Sequence, residues 1–283
     1  MLESARARIS DAIVSVFSYE RYCESSACPD DCMDHLRIHR ASSGVLIKLA
    51  DVEFVLTSAH GIWNHEARDF RPMIDVAGPE RRQPTPITVG RSVLRAFVSD
   101  ILDGEGYPDP DVALLEITQH AVLPAARRPY GENEISSLPP AGPRRIVIFA
   151  GFPGTHSDLA YEEALDAERF DTTPVVYASC SLEHGADAHD PRIAQVLLET
   201  ELAAIDGVSG GPLVLPEGEG ILVGLARQVI ERGPGESSVH FEPAHAALRV
   251  LCHPQAILTH RNPDLVGAVE RVLDRAFAAR LPA

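Results

Sequence analysis

The sequence predicts an all-β fold built from two antiparallel β-barrels. About ten short runs of β-branched and other apolar residues follow one another, separated by glycine, proline and polar residues. The stretch "ARRPYGENEISSLPPAGPRR", residues 126–145, is rich in proline and polar residues and divides these runs into two halves. We therefore expect an N-terminal barrel in residues 1–125, a linker in 126–145 and a C-terminal barrel in 146–283.

The predicted strands are short, and their order along the chain assigns them to the two barrels. Those of the first half begin at Ile13 and read "IVSVFSY", "GVLIKLA", "VEFVLTSA", "SVLRAFVS" and "VALLEI". Those of the second half read "RIVIFAGF", "PVVYASCSL", "AQVLLETEL", "PLVL" and "GILVGLARQVI". Such spacing, without helices between the strands, is typical of sandwiches and barrels rather than of parallel α/β sheets.

The C-terminal segment has a different pattern, which predicts an amphipathic helix. In "NPDLVGAVERVLDRAFAAR", Asn262 is a suitable N-cap and Pro263 suits the first helical position. Apolar residues recur at helical spacing at Leu265, Val266, Val269, Val272, Leu273, Ala276 and Phe277. We expect a helix over about residues 263–280 that packs against the second barrel.

Charge and composition limit the classes of partner and compartment. The 25 basic and 41 acidic residues give a net charge of −16, which disfavours nucleic acid and anionic membrane surfaces as partners. The N-terminus "MLESARARISDAIVSVFSYE" lacks the apolar core of a secretory signal, and no apolar run reaches membrane-spanning length. Five cysteines, an odd number, fit reduced thiols. These observations predict a cytoplasmic protein.

The stretch "IDGVSGGPLVL", Ile205 to Leu215, surrounds one serine with three glycines and a proline. Glycine permits positive φ and close approach of another backbone, so the run predicts a tight turn that presents Ser209. A simple turn between two strands is the alternative. Because a serine hydroxyl alone is a weak nucleophile, chemistry at Ser209 requires a base and an orienting acid elsewhere in the chain.

Two segments supply candidates for these roles. His60 ends "VEFVLTSAHG", where an apolar strand runs into small residues and glycine, so its imidazole would lie at a strand end. Asp111, in "PDPDVALLEI", stands directly before an apolar run, where a carboxylate needs a hydrogen-bond partner such as a histidine N–H. Taken separately, His60 also fits a half-buried loop histidine, and Asp111 a turn residue at a strand edge.

The segments that contain His60, Asp111 and Ser209, in this order along an all-β chain, resemble the chymotrypsin/trypsin-like serine peptidases. Across the whole sequence the resemblance is closest to bacterial stand-alone members of that family. The resemblance runs from about Ile13 to the C-terminal helix, and "TSAH" varies the commoner Thr-Ala-Ala-His by one residue. It implies two antiparallel β-barrels of six-stranded type with the site between them. It also implies Ser209 as nucleophile, His60 as base, Asp111 as the orienting acid, and an oxyanion hole formed by the N–H groups of Gly207 and Ser209.

The chain departs from this family at two positions near the nucleophile. Val208 stands where digestive members carry an aspartate that binds a newly cut N-terminus, so activation by that route is not expected. Ala203 matches the floor of the specificity pocket, which implies a small or apolar pocket. A shifted alignment would instead place the carboxylate of Glu201 or Asp206 there.

The insertion "YCESSACPDDCMDHLRIHR" offers ligands for a structural zinc ion at Cys23, Cys28, Cys32 and His35, with His39 behind. The spacing C-x4-C-x3-C-x2-H matches no common zinc finger, and an exposed, reduced loop is the alternative. We favour no metal and expect no other cofactor.

The expected function is a serine endopeptidase that cleaves protein or peptide substrates through an acyl-enzyme intermediate. Two alternatives stay open: a catalytically silent peptide-binding module of the same fold, and an esterase that uses the same three residues. Because a protease in the cytoplasm must be restrained, we expect restricted specificity or control by a regulatory partner protein.

Overall fold

The computed structural model describes residues 2–21, 36–70, 73–77, 93–117, 127–137, 145–153, 157–162, 167–172, 174–184, 194–198, 207–233, 236–252 and 263–278. No helix within these ranges has the length and apolar character needed to cross a membrane.

The first half of the chain forms one antiparallel sheet. Its strands are β1 (Ile13–Arg21), β2 (Leu36–Leu49), β3 (Val52–Thr57), β6 (Met73–Ala77), β7 (Val93–Val98) and β8 (Ala113–Ile117). They lie in the order β6-β1-β2-β3-β8-β7, and the short strand β9 (Tyr130–Gly131) adds to β2 in parallel. The strands β4 (Trp63–Asn64) and β5 (Asp69–Phe70) form a separate small pair.

The second half forms a closed six-stranded barrel. Its strands are β10 (Arg145–Gly151), β13 (Val175–His184), β14 (Ala194–Leu198), β15 (Pro212–Leu215), β16 (Ile221–Gly233) and β17 (Glu236–Pro243). The order is β10-β13-β14-β17-β16-β15, and the pairing of β15 with β10 closes the barrel. The hairpin of β11 (Ser157–Glu162) and β12 (Ala167–Thr172) lies outside this barrel, and the apolar runs did not predict it.

A shared apolar core joins the two halves. Ile47 and Leu114 of the first sheet and Ile148 and Leu222 of the second are fully buried in one cluster. Each sheet also has a smaller cluster of its own. Because the shared cluster is continuous, the two sheets hold each other in place. The predicted all-β fold of two antiparallel barrels is confirmed, with a closed barrel in the second half and an antiparallel sheet in the first.

Helices lie at both ends of the chain. The C-terminal helix α3 (Pro263–Ala278) begins at the predicted proline and buries Leu265, Val269 and Val272, so the predicted helix and its apolar face are confirmed. Among its main contacts are residues 244–252 and β2 of the first sheet, whereas packing against the second barrel was expected. Before it comes a short helix α2 (Ala244–Leu248). The N-terminal helix α1 (Leu2–Ala12), with Ala5, Ile9 and Ala12 buried, was not predicted.

Helix α1 carries a buried arginine that binds the segment between the two sheets. Arg8 is 2% exposed. Its guanidinium donates to both carboxylate oxygens of Glu134, at 3.1 and 3.0 Å, and to the carbonyls of Arg128 and Pro129. It also stacks 4.1 Å from the centre of the Tyr130 ring. The segment 127–137 is therefore docked on the protein rather than being a loose linker.

Candidate active site

The nucleophile candidate lies in a tight turn before β15. Gly207 and Gly210 have φ of +89° and +84°, which L-residues other than glycine rarely adopt. The turn is closed by a hydrogen bond of 2.8 Å from the Gly211 N–H to the Val208 carbonyl. A Cβ atom at Gly210 would lie 2.0 Å from the Ser43 carbonyl oxygen on β2. The glycines around Ser209 are thus required by backbone geometry and by contact with the first sheet.

The residue before the candidate nucleophile is anchored by apolar packing. Val208 is fully buried in a cluster with Val147, Phe149 and Leu213. A Cβ atom at Gly151 would lie only 2.6 Å from the Val208 Cβ, so the valine fills all the space available there. Hydrophobic contact, rather than an ion pair, holds the turn at this position.

Neighbouring strands bring His60 and Asp111 together. His60 lies in a single turn of 3-10 helix, Ala59–Gly61, just after β3, and Asp111 lies just before β8. Since β3 and β8 pair with Thr57 opposite Ala113, the end of one strand meets the start of the other. The sequence analysis expected His60 and Asp111 to act together, but it did not predict which strands pair to bring them into contact.

Two hydrogen bonds join the acid to the imidazole residue. The His60 Nδ1 lies 2.7 Å from Asp111 Oδ2, and the His60 backbone N–H donates to Asp111 Oδ1 at 2.9 Å. Asp111 is 7% exposed. With Nδ1 bonded to the carboxylate, Nε2 is the ring nitrogen able to accept a proton from a nucleophile.

The three predicted residues line one cleft of about 610 Å³ between the sheets. His60 and Asp111 face it from the first sheet, and Ser209 from the second. The Ser209 hydroxyl donates a long hydrogen bond of 3.5 Å to the Arg227 carbonyl. For proton transfer to His60, the hydroxyl hydrogen must turn from the Arg227 carbonyl towards the imidazole.

The cleft also contains residues that the sequence analysis did not identify. Arg227 donates from Nη1 to Glu242 Oε1 at 2.9 Å, and Glu242 is 3% exposed. Asp103 and Glu105 lie on the rim beside Tyr107. These side chains reach the cleft from strands and loops that are distant in the chain, and their arrangement depends on strand register and packing. No local sequence motif therefore identifies them.

Several predicted residues lie outside the described part of the chain. They are the pocket candidate Ala203, its alternatives Glu201 and Asp206, and the zinc candidates Cys23, Cys28, Cys32 and His35. Among the described residues there is no group of three or more side chains able to hold a metal ion.

Comparison with known proteins bears on the family and the fold of the chain. The trypsin family model matches residues 24–247. No curated protein matches the chain. A thermostable serine protease, AL20, from an extremophilic microorganism superposes with a TM-score of 0.50 at 13% identity, over 83% of this chain and 91% of that one.

A scabies mite inactivated protease paralogue, S-I1, is similar with a TM-score of 0.50 at 16% identity, over 89% of this chain and 96% of that one. At such identities the two structures show the fold alone. The family model spans well over half of the chain and confirms the resemblance. The protein belongs to the trypsin family of serine endopeptidases.

Proposed function

We propose that the protein hydrolyses peptide bonds with Ser209 as nucleophile, His60 as general base and acid, and Asp111 as the residue that orients the imidazole. The observation that carries this proposal is the double hydrogen bond of Asp111 to His60, at 2.7 and 2.9 Å, beside Ser209 in one cleft. A carboxylate that binds both the ring and the backbone of one histidine restrains the position and tautomer of that ring.

In the first half of the reaction, Ser209 Oγ forms a bond to the scissile carbonyl carbon while its proton passes to His60 Nε2. The carbonyl oxygen becomes negative and accepts hydrogen bonds from the N–H groups of Gly207 and Ser209. When the carbon–nitrogen bond breaks, the imidazolium gives its proton to the leaving amine, and an acyl group remains on Ser209.

In the second half, water takes the place of the amine. Its oxygen attacks the acyl carbon while His60 Nε2 accepts its proton, and the serine leaves with that proton. Asp111 keeps its negative charge throughout and stabilises the imidazolium in both halves.

The proposal includes restricted specificity, a cytoplasmic location and restraint by a partner protein. The rim of the cleft carries Asp103 and Glu105, and its wall carries Arg227, so charged groups of both signs face a bound peptide. Such a cleft favours some substrate sequences over others. The support for the compartment is the odd number of cysteines, five.

Labelling with a fluorophosphonate tests the proposal, because only an activated serine reacts. We expect the wild type and the control Ser10→Ala to be labelled and Ser209→Ala to be unlabelled. Turnover of matched amide and ester substrates then separates a peptidase from an esterase. A folded wild type that takes no label would support the silent peptide-binding module instead.

A further inference from the structure

Ser43, on β2 of the first sheet, is fully buried and contacts the turn around Ser209, residues 207–211, which we name the nucleophile turn. Its backbone N–H donates to the Ser209 carbonyl at 2.7 Å. Its hydroxyl donates to the Gly207 carbonyl at 3.4 Å and accepts from the Phe152 N–H at 2.8 Å. Its own carbonyl accepts from the Thr57 hydroxyl at 2.7 Å.

From these contacts we propose that Ser43 is a positioning residue for the oxyanion hole. Its hydroxyl holds the peptide group between Gly207 and Val208, which lies between the two amides that bind the oxyanion. The inference rests on the proposed function, since it assigns a role in that same reaction.

The turn needs such a restraint because of its own glycine. Gly207 adopts a φ of +89°, and without a Cβ atom it also reaches other conformations at little energetic cost. Rotation of the 207–208 peptide would change the direction of the amides on either side of it. On the far side, the bond from Gly211 N–H to the Val208 carbonyl fixes the 208–209 peptide. Ser43 supplies the corresponding restraint one peptide earlier.

The hydroxyl of Ser43 is itself oriented by the second sheet. A hydroxyl has one hydrogen, and a bond accepted from the Phe152 N–H leaves that hydrogen to point at the Gly207 carbonyl. Phe152 directly follows β10. At 3.4 Å the bond to Gly207 is long, and we expect it to shorten when charge develops on the substrate oxygen.

The test compares Ser43→Ala with Ser42→Ala. Ser42 is also buried, at 2% exposure, but its side chain points to the opposite face of β2, where its hydroxyl donates a long hydrogen bond of 3.5 Å to the Val16 carbonyl. Ser43→Cys is a second variant, which keeps the side-chain size but donates a weaker hydrogen bond.

We expect Ser43→Ala to lower kcat by about 10- to 100-fold with KM changed less than about twofold, since the restraint acts on transition-state binding. The inhibition constant of a peptide boronate should rise by the same factor as kcat falls. Ser43→Cys should lie between the wild type and Ser43→Ala, and Ser42→Ala should match the wild type in both measurements.

An unchanged kcat in folded Ser43→Ala, or an equal loss in Ser42→Ala, would overturn the inference. Amide hydrogen exchange in residues 207–211 gives a readout that does not depend on turnover. Faster exchange in Ser43→Ala than in Ser42→Ala supports the role of Ser43, and equal exchange contradicts it. If the wild type takes no fluorophosphonate label, the proposed function fails, and the exchange experiment still decides whether Ser43 holds the turn.

Discussion

At the residue scale, the contact between Asp111 and His60 is the most specific feature of the site. One carboxylate accepts from the histidine backbone through Oδ1 and bonds its ring through Oδ2. Neither bond can be replaced by a neighbouring residue without moving β3 relative to β8. Asp109 lies two residues earlier, in the loop before that strand, and is half-buried.

Asp111→Asn should keep the fold and lower kcat by about 10⁴, a magnitude carried over from the triad of this family rather than obtained from this chain. An amide that donates to Nδ1 stabilises the wrong imidazole tautomer. Asp109→Asn is the matched control and should change kcat by less than about threefold. Steady-state kinetics on a peptide substrate, with circular dichroism as the folding check, gives the comparison. A larger loss in Asp109→Asn would refute the assignment of the acid.

At the element scale, the nucleophile turn is shaped by backbone packed on backbone. A Cβ atom at Gly210 would meet the Ser43 carbonyl at 2.0 Å and the Thr57 hydroxyl at 2.5 Å. The turn thus reaches its position only with a residue that has no side chain. In contrast, a Cβ atom at Gly104, which lies between Asp103 and Glu105 in the chain, would have no atom within 4 Å.

Gly210→Ala should abolish measurable turnover and lower the free energy of unfolding by about 3 kcal/mol or more, because both a positive φ and a steric clash oppose the methyl group. Gly104→Ala should stay within about 0.5 kcal/mol of the wild type. Urea unfolding and peptide turnover measure the two effects. An active Gly210→Ala would show that the turn does not need its present backbone geometry.

The short strand β9 carries a buried tyrosine whose stability contribution depends on pH. Burial raises the pKa of Tyr130, and its hydroxyl has no hydrogen-bond partner among the described residues. The folded state therefore keeps this phenol neutral where the unfolded chain ionises it, above pH of about 10. The stability associated with the neutral phenol is present below that pH and is lost as the pH rises.

Tyr130→Phe should be at least as stable as the wild type at pH 8, since an unpartnered buried hydroxyl is removed. From pH 10 upward the wild type should lose about 1.4 kcal/mol per pH unit more than the variant. Urea unfolding of both proteins at pH 8 and pH 11 gives the difference. A difference that does not grow with pH would show that Tyr130 ionises in the folded state.

The sequence predicted the elements whose signals are local. Runs such as "RIVIFAG" became strands because β-branched residues fit a buried sheet, and the helix at Pro263 had both a cap and an apolar face. Helix α1, "LESARARISDA", has charged residues through most of its turns, and its contacts with β2, β10, β13 and β15 stabilise it. No local pattern contains that information.

In the site, too, residues in local motifs could be predicted from the sequence, and contacts between distant segments could not. Ser209 and His60 stand in short motifs that sequence reading can find. The contacts of Ser43 with Gly207 and of Arg227 with Glu242 depend on how the two sheets pack and on the register of β16 with β17. The spacing of residues along the chain predicts neither the packing of the two sheets nor the register of these strands.

At the scale of the whole molecule, ion pairs of three arginines connect the segment 127–137 with the two terminal helices and the first sheet. Arg8 from α1 binds Glu134, and Arg271 from α3 binds Glu132 at 2.9 Å. Arg127 binds Glu53 on β3 at 3.2 Å. Both terminal helices and the first sheet therefore hold the connection between the two halves.

Arg8→Met should lower the free energy of unfolding by about 3 kcal/mol, because Glu134 and two carbonyls lose a buried donor. Arg6→Met is the control on the same helix. Arg6 is paired with the exposed Glu3 at 3.4 Å and with no other described residue, so its loss should cost less than about 0.5 kcal/mol. Urea unfolding of both variants tests this, and equal effects would mean that the buried arginine contributes no more than the surface one.

The contrast between the packed turn and the open rim of the cleft bears on how this protein can evolve. A Cβ atom at Gly210 would clash with the Ser43 carbonyl oxygen of the first sheet, and one at Gly211 with the Ala150 carbonyl oxygen of the second, so we expect substitution there to be disruptive. Asp103, Glu105 and Gln228 line the same cleft with exposed side chains. On the proposed function, we therefore expect catalytic rate and substrate choice to depend on separate positions, and a combinatorial library at Asp103, Glu105 and Gln228 should change selectivity while the reaction centre is left intact.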